Sequence, residues 1–289
     1  MKREMNDEKK HDIKQENEMQ EGMNREMNQK MNETTSQETA LISCHQIVKR
    51  MGQGPEQETI LEGLSLNIHR GDFIAIMGPS GSGKSTLMYA LSGMDGVDEG
   101  DVVFDQQHLA ALKEEALTDL RRNRMGFVFQ QPTFLKNLNL LDNIILPAVR
   151  EKKLPRKDIV ARAEALMADM GIAGLGLRDI TQVSGGQLQR AGICRALMNQ
   201  PEVIFGDEPT GALNSASSRE IMKILADINQ QGTTVILVTH DAKVAAVTRR
   251  ILFLNDGKVE SEMHLPPFDE AALEDRVQQV TEKMVALGI

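Results

Sequence analysis

The 289-residue chain has no tryptophan, a single tyrosine and only 3% aromatic residues, so its core must be aliphatic and rich in its 17 methionines. Cysteine is equally scarce. Cys44 and Cys194 fall at unrelated spacing inside apolar segments with no metal-ligand pattern around them, and read as small buried hydrophobes in a reducing compartment. No apolar run approaches the length that crosses a bilayer, and no secretory signal opens the chain, which predicts a soluble, cytoplasmic protein. Positive charge is short as well. With 33 Lys and Arg against 42 Asp and Glu, the net charge of −9 argues against a nucleic-acid partner, which calls for a basic face.

What is present is organised around Gly78-Pro79-Ser80-Gly81-Ser82-Gly83-Lys84-Ser85-Thr86, a match to G-x-x-x-x-G-K-[ST]. The apolar run Phe73–Met77 before it reads as a buried strand, and residues 85–93 after it read as a helix. Such a strand-loop-helix unit makes an anion site. Its glycines let successive N–H groups point into one concavity, and the helix N-terminus adds partial positive charge. Lys84 is then placed to reach outer phosphates and the Ser85 hydroxyl to ligate Mg²⁺, so the chain is read as nucleotide-binding.

Residues 1–39 are low-complexity Glu, Lys, Asn, Gln and Met and are expected to form a solvated, disordered tail. Within them Met19, Met23, Met27 and Met31 recur every fourth residue, a sloping face that on a helix would suit a partner or a soft metal. Order is expected from residue 40. Strands are read at 41–49, 64–68, 100–105 and 125–129, with a helix over 109–123. Residues 132–147 read as a turn-rich loop with many apolar side chains, either tucked under the fold or open to a partner, and 158–170 as an amphipathic helix. At the C-terminal end Leu273, Val277, Val280, Met284 and Leu287 repeat at 4-3-4-3 spacing, a seam for a partner or for the domain itself.

A second informative stretch is Val183-Ser184-Gly185-Gly186-Gln187. Ser184 and Gln187 make a capping-box start, and two glycines inside the cap leave bare amides at a positive helix end, as phosphate recognition would want. With this stretch the chain resembles the ATP-binding subunits of ABC transporters, whose signature is usually Leu-Ser-Gly-Gly-Gln; Val183 departs at the first position. The resemblance covers roughly residues 41–261.

The resemblance implies an α/β fold: a P-loop NTPase core with a mainly parallel sheet, an antiparallel β layer and an inserted helical subdomain. It places the ATPase domain at 40–262, the helical subdomain at about 113–182 and an amphipathic helix over 263–289. ATP and Mg²⁺ are the implied cofactors. Residues 78–86 would hold the phosphates, with Ser184, Gly185, Gly186 and Gln187 facing a second copy's nucleotide. Asp207, at the end of the apolar strand 203–208, would hold Mg²⁺ through water together with Ser85 and Gln130. Glu208 would be the general base, with His240 and Gln130 positioning the nucleophile and Lys84 on the phosphates. Two positions depart from the family pattern. Met51 stands about where an aromatic ring usually stacks on adenine, and Asn214 where Asp is usual.

Segments 109–130, 87–95, 211–215 and 286–289 are similar to the branch serving lipoprotein release, macrolide export and antimicrobial-peptide resistance, the last most of all. The implied assembly is a homodimer that sandwiches ATP and drives an integral-membrane permease from the inner face of the membrane. A lipoprotein-release or macrolide-export ATPase, or a soluble ABC ATPase, are the alternatives.

Overall fold

The computed structural model describes residues 40–52, 54–151 and 154–289, and the tail expected at 1–39 lies outside them. Residues 41–289 form one compact unit. Its centre is a six-stranded sheet in the order β10-β9-β3-β8-β7-β6. These strands are β3 (Phe73–Met77), β6 (Met125–Phe129), β7 (Val203–Asp207), β8 (Thr234–Val238), β9 (Arg250–Asn255) and β10 (Lys258–His264). All neighbours pair in parallel except β9 and β10, which form an antiparallel hairpin. A second sheet of β1 (Ala40–Met51), β2 (Glu58–His69), β4 (Glu99–Phe104) and β5 (Gln107–His108) lies in the order β2-β1-β4-β5, with β4 antiparallel to β1 and β5. This is the expected α/β core with an antiparallel layer.

The central strands are continuous apolar runs because both faces are covered. Ile74, Ile76, Val203, Phe205, Ile236 and Val238 face the antiparallel layer and α1 (Lys84–Leu91). Phe73, Ile204, Val235 and Leu237 face the opposite layer. There α6 (Ser215–Gln230) presents Ile221, Met222 and Leu225, and α7 (Ala242–Ala245) presents Val244.

Two boundaries are corrected. The segment expected as one helix over 109–123 is a short 3₁₀ turn at Leu109–Ala111, directly after β5, and then α2 (Glu114–Arg124). Both α2 and β6 pack on the main core through Leu120 and Met125, so the inserted helical cluster does not begin at 113. It starts near Phe134 and comprises α3 (Leu140–Glu151), α4 (Arg156–Asp169) and α5 (Gly185–Leu197), around a core that includes Ile144, Ile159, Ala163 and Cys194.

The stretch read as a loop over 132–147 thus contains most of a helix. Pro147, which removes one backbone donor, sits inside α3. The preceding turn is knotted by Asn143, fully buried, whose amide donates to the carbonyls of Leu135, Leu138 and Asn139 while its oxygen accepts from the Leu135 N–H at 2.7 Å. Its apolar side chains divide: Leu140, Ile144 and Ile145 are buried, while Leu135 and Leu146 are exposed.

At the C-terminal end, the helix expected over 263–289 is confined to α8 (Leu273–Ala286), because residues up to His264 belong to β10. Its seam is spent on its own domain. Val280 is fully buried, and Leu273, Val277, Met284 and Leu287 pack with Ala75, Met77, Ile251 and Phe253. Buried Arg276 ties the helix down by donating to the carbonyls of Ala246, Thr248 and Pro266 at 2.6, 2.7 and 2.8 Å.

Candidate nucleotide site

The site is assembled at the C-terminal ends of β3, β6, β7 and β8, the edge at which open α/β sheets bind ligands. β3 runs directly into the phosphate loop. Gly78 is required there by crowding, since a Cβ would lie 2.2 Å from the Leu254 carbonyl oxygen and 2.6 Å from Ser82 Oγ. At the other end Gly83, at φ 94°, presses on β2, where a Cβ would be 2.8 Å from the Ile60 carbonyl oxygen. The β9–β10 turn holds the loop from outside: Gly257 N–H donates to the Ser82 carbonyl at 3.3 Å, and Gly257 itself would carry a Cβ 2.4 Å from that same Ile60 oxygen.

Helix α1 begins at Lys84 with no side chain capping its first turn, so its leading amides are free for an anion. The Lys84 ammonium folds back on the loop, donating to the carbonyls of Gly78 and Pro79 at 2.9 and 2.7 Å. Its pKa is lowered by partial burial, against which the charges of Glu208 and Asp207 pull upward. The Ser82 hydroxyl, buried, has no hydrogen-bond partner among the described residues.

Two side-chain constellations face this loop. Asp207, the last residue of β7, accepts from Ser85 Oγ on one carboxylate oxygen and from the Tyr89 hydroxyl on the other, both at 3.1 Å. The sequence reading gives Tyr89, within segment 87–95, no role at the site. Its signal was there: residues 85 and 89 stand four apart and share one face of α1. Burial, then the neighbouring Asp207 charge, push the phenol pKa up, so it stays a protonated donor.

Next along the chain, Glu208 adopts φ 47°, a left-handed conformation that costs a non-glycine residue about 1–3 kcal/mol. Its N–H donates to the Val238 carbonyl at 3.0 Å, and the turn aims its carboxylate at β8. One oxygen contacts His240 Nδ1 at 2.7 Å and the other lies 3.4 Å from Thr239 Oγ1. The imidazole is three-quarters exposed and the carboxylate mostly covered, so the pair opens outward from the sheet edge. Gln130 follows β6, whose Phe129 pairs with Asp207, and its amide lies against Gly211 in the loop after Glu208. Gln189, buried on α5, donates to the Phe129 carbonyl at 2.9 Å and so links the helical cluster to the turn carrying Gln130.

The remaining expected residues lie apart from this cluster. Ser184 caps α5 with both halves of a capping box, its oxygen accepting from Gln187 N–H and the Gln187 side chain accepting from Ser184 N–H. Within the chain this cap faces the start of α6, where a Cβ on Gly186 would meet Ser217 Oγ at 3.1 Å. Met51 ends β1 with 46% of its surface exposed. Asn214 caps α6 by accepting from Ser217 N–H at 2.9 Å, a task that Asn performs as well as Asp, so the local helix start needs no charge there.

A family model described as ABC transporter matches residues 61–211, just over half the chain. The chain belongs to the ABC transporter family. As an ABC ATPase cassette it is 42% identical over 240 residues to a protein of Neisseria gonorrhoeae described as "Macrolide export ATP-binding/permease protein MacB", covering 83% of this chain and 37% of that one. It is 43% identical over 219 residues to a protein of the same description from Marinobacter nauticus, covering 76% and 34%. The chain therefore spans little more than a third of the curated relatives it matches. Among solved structures, the dimeric post-hydrolysis state of the ATP-binding cassette MJ0796 bound to ADP and Pi aligns with a TM-score of 0.73 at 37% identity, covering 78% of this chain and all of the other. The ABC cassette is thus an ATP-binding ATPase of P-loop fold. Among its described residues no helix is long and apolar enough to cross a membrane.

Proposed function

We propose that this ABC cassette binds and hydrolyses ATP between two copies of itself and uses the movement to drive an export-type membrane permease. The observation carrying this reading is the Glu208–His240 pair, 2.7 Å apart, on the same sheet edge as Lys84 and the Ser85–Asp207 contact. Residues 78–86 hold the phosphates through loop amides and Lys84, and Glu208 takes a proton from the attacking water, with His240 and Gln130 orienting that water. The donor set of Ser85 hydroxyl and Asp207 carboxylate is hard oxygen and suits Mg²⁺, with Gln130 following the strand that pairs with Asp207. Bound there, Mg²⁺ would neutralise charge on the phosphates.

Three features support dimerisation. Ser184, Gly185, Gly186 and Gln187 form a glycine-bearing helix start whose neighbours within the chain are Leu213 and Ser217, Met51 is open where adenine would stack, and the related cassette is dimeric. The permease would engage the exposed Leu135 and Leu146 on the helical cluster, which keeps the cassette at the inner face of the membrane. Antimicrobial peptides are the proposed cargo, on the likeness of segments 87–95, 211–215 and 286–289; macrolides are the second reading, favoured by the description of the relatives.

Replacing the base, Glu208→Gln, should lower turnover by about 10²-fold or more and accumulate an ATP-dependent dimer in light scattering after gel filtration. Turnover at the wild-type rate would remove Glu208 from the role of base. A Glu208→Gln protein that binds ATP yet stays monomeric would remove the sandwich.

A further inference from the structure

We propose that Tyr89 is a positioning residue for Asp207, fixing the carboxylate in the orientation from which it serves the metal of the nucleotide site. This rests on the reading of that site given above. The argument begins with helix geometry. Ser85 and Tyr89 are one turn apart on α1, so their hydroxyls reach the same carboxylate from the same face, one on each oxygen. The two donors differ in what else they can do. Ser85 sits at the start of the helix beside Lys84, where its hydroxyl can turn to a cation. Tyr89 lies a turn deeper, half-buried against the main core, and its rigid ring leaves the hydroxyl little other choice.

The tyrosine is also anchored at its backbone. Its carbonyl accepts from Ser92 Oγ and from the N–H groups of Met94 and Asp95, at 3.1, 2.9 and 3.2 Å. These contacts close the C-terminal end of α1 and fix the Cα from which the ring projects. With the Ser85 hydroxyl given over to a cation, Tyr89 would still hold the second oxygen and keep Asp207 in its rotamer.

The chain offers a direct probe, because Tyr89 is its only tyrosine and it has no tryptophan. A phenol donating to an ionised carboxylate is quenched, so Asp207→Asn should brighten the tyrosine emission of the intact protein. Unchanged emission would mean that the contact is absent in solution and would overturn the proposal.

The decisive experiment measures Mn²⁺ binding by electron paramagnetic resonance with saturating ATP, in Glu208→Gln protein with and without Tyr89→Phe. Loss of one hydrogen bond to a charged ligand should weaken Mn²⁺ about 2- to 10-fold while leaving metal-free ATP affinity in EDTA unchanged. Equal Mn²⁺ affinity, or an equal loss of metal and metal-free nucleotide binding, would overturn the positioning role. Absence of ATP-dependent Mn²⁺ binding in the protein that retains Tyr89 would overturn the site reading itself, and the inference with it.

Discussion

The N-terminal ends of the parallel strands are tied to one another by ion pairs and buried hydrogen bonds, whereas their C-terminal ends also hold a loop lysine bonded to its own loop and a buried hydroxyl with no described partner. At the first edge Arg70, just before β3, and Arg124, just before β6, each bridge Asp105 after β4 and Glu202 before β7, Arg70 Nη2 reaching Asp105 at 2.7 Å. Beside this ring of four charges, buried Asn229 donates to the carbonyls of Gly71, Asp72 and Thr233 at 3.0, 3.1 and 2.9 Å. At the second edge Lys84 makes do with the carbonyls of its own loop, Ser82 Oγ lacks a described partner, and Glu208 is held in a left-handed conformation. One edge is satisfied by the fold; the other is arranged for something the fold does not supply.

That contrast can be broken from either side. The largest effect is expected from Lys84→Met, which should reduce ATP turnover by on the order of 10²–10³-fold, as loss of one preorganised charge donor does. Because the ammonium is partly desolvated and, among the described residues, hydrogen-bonded to its own loop alone, the Tm of the nucleotide-free protein should hold or rise; calorimetry with and without ATP checks both halves. The reverse pattern is expected of Asn229→Leu. Stranding carbonyls at the closed edge should cost about 2–3 kcal/mol and lower Tm by about 5–10 °C, with the metal-free ATP affinity of the folded protein unchanged.

The smallest effect concerns acid. Asp105 and Glu202 are both held below their usual carboxylate range, chiefly by the Arg124 hydrogen bond. Groups with depressed folded pKa values contribute stability above their unfolded values that is lost as pH falls through the folded ones. In urea unfolding, Arg124→Met should therefore be less stable than wild type at pH 7, and the gap should narrow below about pH 4. A gap that stays constant to pH 2 would mean that the ion pairs are not its source.

The same contrast explains what could be read in advance. β3, β6, the phosphate loop and the α5 cap were legible because each is written in contiguous residues: unbroken apolar runs, glycine spacing, and Ser184 with Gln187. The carboxylates 207 and 208 were legible for the same reason. The closed edge was not, because Arg70 and Glu202 are 132 positions apart and nothing local to either announces the other. Helix α3 escaped because Pro147 and the turn formers before it outweigh its apolar periodicity, and only the buried Asn143 shows how that turn is held. Tyr89 was overlooked for the opposite reason: an aromatic ring on a helix reads first as packing, and its hydroxyl finds its purpose only once β7 is laid beside α1.

The pinch at the Ile60 carbonyl has a consequence for genetics. Gly83 belongs to the phosphate loop and Gly257 to a hairpin turn 174 positions later, yet each would drive a new Cβ into that one oxygen, at 2.8 and 2.4 Å. In a screen for inactive alleles, substitutions at position 257 should therefore fall into the same phenotypic class as those at 83. A map of such alleles on the linear chain would look scattered, and only the shared oxygen atom would bring them together.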